Sequence, residues 1–95
     1  MIHVEPQHYK IIQEILRPYQ KHNFHAFGSR VTGKCGQFSD LDLCVMQPIP
    51  PRDRGNIEEA LRASRLPYKV DIIDWTRCSE EFRNLIKNDL VRLDL

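Results

Sequence analysis

Long hydrophobic runs are absent: nothing in the 95 residues approaches the ~18–20 apolar positions that a membrane span needs. No signal peptide opens the chain, so cytoplasm is the expected compartment. An excess of one charge is missing as well. With 14 Lys and Arg against 13 Asp and Glu, the formal net charge is +1, which argues against a general nucleic-acid-binding surface while leaving room for a local basic pocket. Cysteine is scarce. Cys35, Cys44 and Cys78 are odd in number and lack CxxC spacing, which leaves neither a disulfide framework nor the paired ligands of a zinc site. His3, His8, His22 and His25 form no ligand pair at helical or strand spacing and read as surface or packing residues. There are no repeats and no low-complexity stretch, and the length suits one domain, residues 1–95.

What is present is a mixed helix and strand pattern. Ile12, Ile15, Leu16 and Tyr19 repeat at the spacing of one helical face, and Pro18 should kink or end that helix near Arg17. Phe24-His25-Ala26-Phe27 alternates and reads as a strand running into Gly28. A short helical turn fits from Ser29 to about Lys34, then a loop, then a second strand from Leu41 to Met46. The segment 47–55, QPIPPRDRG, carries three prolines and a glycine and is expected to be irregular. A helix should then start near Asn56, marked by Ile57, Ala60 and Leu61. Tyr68 to Trp75, YKVDIIDW, is the strongest strand, rich in β-branched and aromatic residues. A last helix is expected from Ser79, with Glu80 and Glu81 at the positive end of its dipole and Phe82, Leu85 and Ile86 as its buried stripe. This order predicts an α/β (α+β) fold, a small mixed β-sheet flanked by helices.

Two features carry the chemistry. GSRVTGKC, residues 28–35, nearly matches the P-loop pattern G-x-x-x-x-G-K-[ST], but the position of the Mg²⁺-binding hydroxyl is a cysteine and no long helix follows. A P-loop would need Lys34 on the β/γ-phosphates. A glycine-serine pair after a strand still offers free backbone N–H groups to a phosphate oxygen, although a plain turn glycine satisfies the same pattern. The second feature is Asp40-Leu41-Asp42 at a strand start. Both carboxylates point to one face, with Cα atoms ~6.5–7 Å apart by strand rise, close enough to converge on a metal ion; a solvent-facing polar alternation is the plain alternative. Asp71 stands among Val70, Ile72 and Ile73, where a buried acid needs a cation or hydrogen bonds to compensate it. Asp74 is an odd number of residues away and faces the other side.

Together, Gly28-Ser29, the ten residues Arg30 to Ser39, and Asp40-Leu41-Asp42 resemble the signature of the polymerase-β-like nucleotidyltransferase superfamily. VDIIDW resembles the strand bearing its third carboxylate, so the likeness runs from about Phe24 to Asp74. The short chain is similar to the minimal nucleotidyltransferases of HEPN–MNT toxin–antitoxin pairs. That resemblance implies the nucleotidyltransferase fold, with Asp40, Asp42 and Asp71 as catalytic and metal-binding residues for one or two Mg²⁺ ions. Gly28 and Ser29 would hold the triphosphate, and Arg30 is either a phosphate partner or a solvated cation at a helix start. The implied reaction moves a nucleoside monophosphate, AMP from ATP, to a hydroxyl on a helical HEPN-type protein, the chain acting as antitoxin. A catalytically idle masking subunit and a small-molecule nucleotidyltransferase of the antibiotic-modifying kind are the alternatives. The apolar tail Leu90 to Leu95 and the loop 47–55 are candidate surfaces for that partner or a second copy, unless the tail simply closes the core or extends the sheet.

Overall fold

The computed structural model describes residues 2–95. Its first helix, α1 (Pro6–Leu16), opens on a proline, which suits the first helical position because that N–H has no intrahelical acceptor. It buries Ile12 and Leu16 completely. Pro18 ends the regular helix as expected: a 3₁₀ segment, Arg17–His22, follows, and Asn23 turns with positive φ into β1 (Phe24–Phe27). A four-residue helix α2 (Ser29–Thr32) comes directly after Gly28 and is stopped by Gly33 in the left-handed region. The chain then passes through a loop into β2 (Leu41–Val45), α3 (Pro51–Ala63), β3 (Val70–Asp74), a 3₁₀ turn Trp75–Arg77, α4 (Glu80–Ile86) and β4 (Val91–Arg92).

The four strands form one mixed sheet in the order β3-β2-β1-β4. β1 is antiparallel to both β2 and β4, and β2 runs parallel to β3 through the α3 crossover. Side-chain parity sorts two cores to opposite faces. Phe24, Ala26, Leu41, Leu43, Val45 and Ile72 pack with α1 and α3. Phe27 and Cys44 pack with Ile86 of α4, joined by Ile73 and Phe82. Asp42 and Asp71 belong to this second face, and α4 covers the rows next to them.

Several expectations need correction. Residues 51–55 are helical, because α3 starts at Pro51 rather than near Asn56. Pro50 is extended, the conformation favoured before a proline, and Pro51 occupies the first helical position where no donor is required. Gly55 meets nothing within 4 Å of an added Cβ, so its cost is the propensity penalty of about 1 kcal/mol, too little to stop a helix anchored by Ile57 and Leu61. In α4, Ser79 caps the N-terminus by accepting from the Phe82 N–H at 3.1 Å. Leu85, however, is 75% exposed; a seven-residue helix buries only the narrow Phe82–Ile86 stripe. The tail closes the core and extends the sheet: Val91 and Arg92 pair with β1, and Leu93 is buried. Among the described residues no helix is long and apolar enough to cross a membrane.

Candidate active site

Gly28 ends β1 and starts α2 with φ 82° and ψ −156°, a region that is almost exclusively glycine's. A Cβ built there would stand 2.5 Å from Asp42 Oδ2. The turn glycine and the strand carboxylate are thus in direct contact. The short α2 leaves its first N–H groups without intrahelical acceptors, and Ser29 is its first residue. Lys34, the lysine of the near P-loop, lies beyond the left-handed Gly33 and is exposed.

The register assembles the carboxylates. Asp42 is the lateral partner of Asp71 in the parallel β2–β3 pair, so both side chains leave the same face of the sheet. Asp40 sits just before β2 and is exposed. Burial raises the Asp42 carboxyl above its ordinary range, and the charges of Asp71 and then Asp40 push it further in the same direction. All three groups therefore act on one electrostatic site that is short of positive charge. Asp74 is apart from them: it pairs laterally with Val45 and caps the following 3₁₀ turn, accepting from the Thr76 N–H at 2.9 Å and hydroxyl at 2.6 Å.

Two sequence expectations change here. Asp71 is not a buried acid, since its side chain is 41% exposed, so burial gives it no need of a compensating cation. Its nearest one is Lys69 Nζ at 3.2 Å from Oδ1, a residue the sequence reading passed over although i, i+2 parity on a strand places it beside Asp71. Lys69 is largely exposed, so this ion pair is weak. Arg30 is 5% exposed, and its guanidinium is directed to backbone carbonyls of the loop before Asp40. It is not a solvated helix-start cation.

Among the described residues no three Asp, Glu, His or Cys side chains are gathered closely enough to enclose one metal ion. The donor chemistry nonetheless fits a hard divalent cation: carboxylate oxygens at one end of the sheet, with the Asp42 carboxyl raised first by burial and then by the charges of Asp71 and Asp40. Asp40, Asp42 and Asp71 are the residues that would hold it, and a cation would compete with Lys69 for Asp71.

The glycine turn at the end of β1 thus abuts Asp42, which lies level with Asp71 on the neighbouring strand. Comparison with known proteins gives the family. The profile described as nucleotidyltransferase domain matches residues 8–93. The probable protein adenylyltransferase MntA of Haemophilus influenzae is 40% identical over 79 residues, covering 81% of this chain and 67% of that protein. A crystal structure described as a toxin–antitoxin with AMP-PNP has the same fold, with a TM-score of 0.69 and 23% identity over 90% of this chain and 72% of its own. The chain belongs to the nucleotidyltransferase domain family and is a minimal nucleotidyltransferase.

Proposed function

We propose that this protein transfers AMP from ATP to a hydroxyl on a helical HEPN-type partner protein, and that this modification is how it acts as an antitoxin. The observation that carries the reading is the lateral pairing of Asp42 with Asp71 beside Gly28. Two carboxylates and a glycine turn lie together at one end of the sheet, which supports a metal-assisted reaction on a phosphate. The 40% identical relative, described as a probable protein adenylyltransferase, supports adenylyl transfer and a protein acceptor.

In this mechanism Gly28 and the first turn of α2 bind the triphosphate through backbone N–H groups. Asp40, Asp42 and Asp71 would hold Mg²⁺, which would neutralise phosphate charge and favour the departing pyrophosphate. The acceptor oxygen forms its bond to the α-phosphorus as the bond to pyrophosphate breaks. Its proton passes to a carboxylate oxygen of Asp71, the half-exposed member that an incoming hydroxyl can reach. A second reading, a subunit that binds and masks its partner without catalysis, is favoured by two observations: Asp71 is paired with Lys69, and among the described residues the three carboxylates are not gathered.

ATP labelled at the α-phosphate, Mg²⁺ and the co-expressed helical partner separate the two readings. Transfer of label to the partner by the wild type, absent with Asp42→Asn, is the expected result. A stable complex that never takes up label would overturn catalysis and leave the masking role.

A further inference from the structure

Ten residues separate the glycine-serine turn from the first carboxylate, and the first and last of them are bonded to each other. Arg30 Nε donates to the carbonyl of Ser39 at 2.8 Å, the residue directly before Asp40. One Nη2–H donates to the Gln37 carbonyl at 3.1 Å, with Gly36 at 3.5 Å. Nη1 donates to the His3 carbonyl at 2.9 Å, and the His3 N–H donates back to the Arg30 carbonyl. The guanidinium carbon lies 3.9 Å from the centre of the Tyr68 ring, two residues before β3 and three before Asp71. No carboxylate among the described residues pairs with this buried cation.

A charge taken out of water without a counterion is costly unless its donors are satisfied. Here carbonyl dipoles and a ring face replace the hydration, each charge-assisted bond being stronger than a neutral one. The planar fork reaches three chain segments at once, which a lysine ammonium on a flexible stem does not reproduce. We infer that Arg30 is a positioning residue: it closes the loop 30–39 on itself and ties the phosphate-binding turn to the backbone that carries Asp40. Its effect on catalysis runs through Asp40 and rests on the reading of Asp40 as a metal-binding carboxylate. Because Nε, Nη1 and Nη2 each already donate to a backbone carbonyl, Arg30 acts on the loop rather than on the triphosphate.

The test uses the full chain with Arg30→Lys, which keeps the charge, and Arg30→Gln. Hydrogen exchange should become about tenfold faster or more in residues 36–40 and at the N-terminal segment near His3, while amides of α1 and α3 keep their protection. Mn²⁺ binding should weaken, and kcat should fall about a hundredfold, the order that a misplacement of about 1 Å costs. KM for ATP should stay within about twofold, because the backbone phosphate contacts are kept. A large rise in KM with unchanged exchange in 36–40 would make Arg30 a phosphate ligand and overturn the inference. Uniformly faster exchange with full kcat per folded molecule would reduce it to general stability and overturn it as well. If the wild type itself neither binds Mn²⁺ nor transfers AMP, the proposed function fails, while the exchange pattern still decides whether the clasp exists.

Discussion

Gly28 answers to two constraints at once: its φ of 82° with ψ −156°, and the Asp42 oxygen that would stand 2.5 Å from any Cβ. Gly28→Ala is therefore expected to lower stability by about 1–3 kcal/mol through the backbone conformation alone, and further through the contact. Asp42→Ala in the same chain should recover the contact part only, so a double-mutant cycle in urea melts should give a loss smaller than the sum. A strictly additive cycle would mean that the carboxylate swings away at no cost. Asp42→Asn removes a group whose pKa is raised in the folded protein by burial, then Asp71 and Asp40. A raised carboxyl binds its proton more tightly folded than unfolded, so without divalent cation the wild type loses stability as pH rises through that value. Asp42→Asn should thus match the wild type near pH 3 and melt at a higher temperature near pH 8 in chelator, while nucleotidyl transfer is abolished. A lower melting temperature at pH 8 would contradict the electrostatic account. At this scale the sequence was partly legible. Spacing singled out Gly28, Asp40 and Asp42 as candidates, but Arg30 could not be recognised as buried, because its partners are carbonyls and a ring distant in sequence.

Strand β3 makes the same argument for an element. Two aspartates three residues apart on one strand must face opposite sides, and only Asp71 lies level with Asp42. Asp74 instead caps the Trp75–Arg77 turn through Thr76. Asp71→Asn should cost at least about a hundredfold in transfer rate, the order of losing a positioned acid–base group, with little change in melting temperature. Asp74→Ala should reverse the pattern, costing about 0.5–2 kcal/mol of stability as a lost cap while transfer per folded molecule stays near wild type. Equal loss of transfer from both folded variants would refute the parity assignment. Parity was readable because the side-chain period of a strand is fixed. The start of α3 was not, since prolines break a helix in its interior and favour it at its first position; which applies depends on where Ile57 and Leu61 anchor the helix. Leu85 was misplaced for a related reason: periodicity marks a stripe but not how much of it the neighbouring sheet covers.

For the whole molecule, the sheet separates a large core under α1 and α3 from a smaller one under α4, and Cys44 sits in the smaller one on the central strand β2. Cys35, Cys44 and Cys78 are all free thiols, but their settings differ. Cys44 is fully buried, and burial first, then the neighbouring Cys78 and Asp74, push its thiol up to about 11. At pH 8 roughly one Cys44 thiol in a thousand is therefore ionised, and the thiolate is the reactive form. Cys35 and Cys78 are only partly buried. Iodoacetamide should label those two in the native protein, with Cys44 reacting only when the sheet opens. Cys44 lies on the sheet face that α4 covers, so exposing its thiol requires that cover to come away, and if the two layers form one cooperative unit this happens only as the sheet itself opens. That opening should lie near the top of the molecule's free-energy scale, close to global unfolding. Peptide mass spectrometry across a urea series can follow the rate at each cysteine. The Cys44 rate should rise with urea along nearly the full slope of the global transition, while the Cys35 rate changes little. Rapid labelling of Cys44 in native buffer, at a rate comparable to Cys35, would show that α4 lifts from the sheet on its own. The second core would then be an independently opening layer rather than part of one cooperative unit.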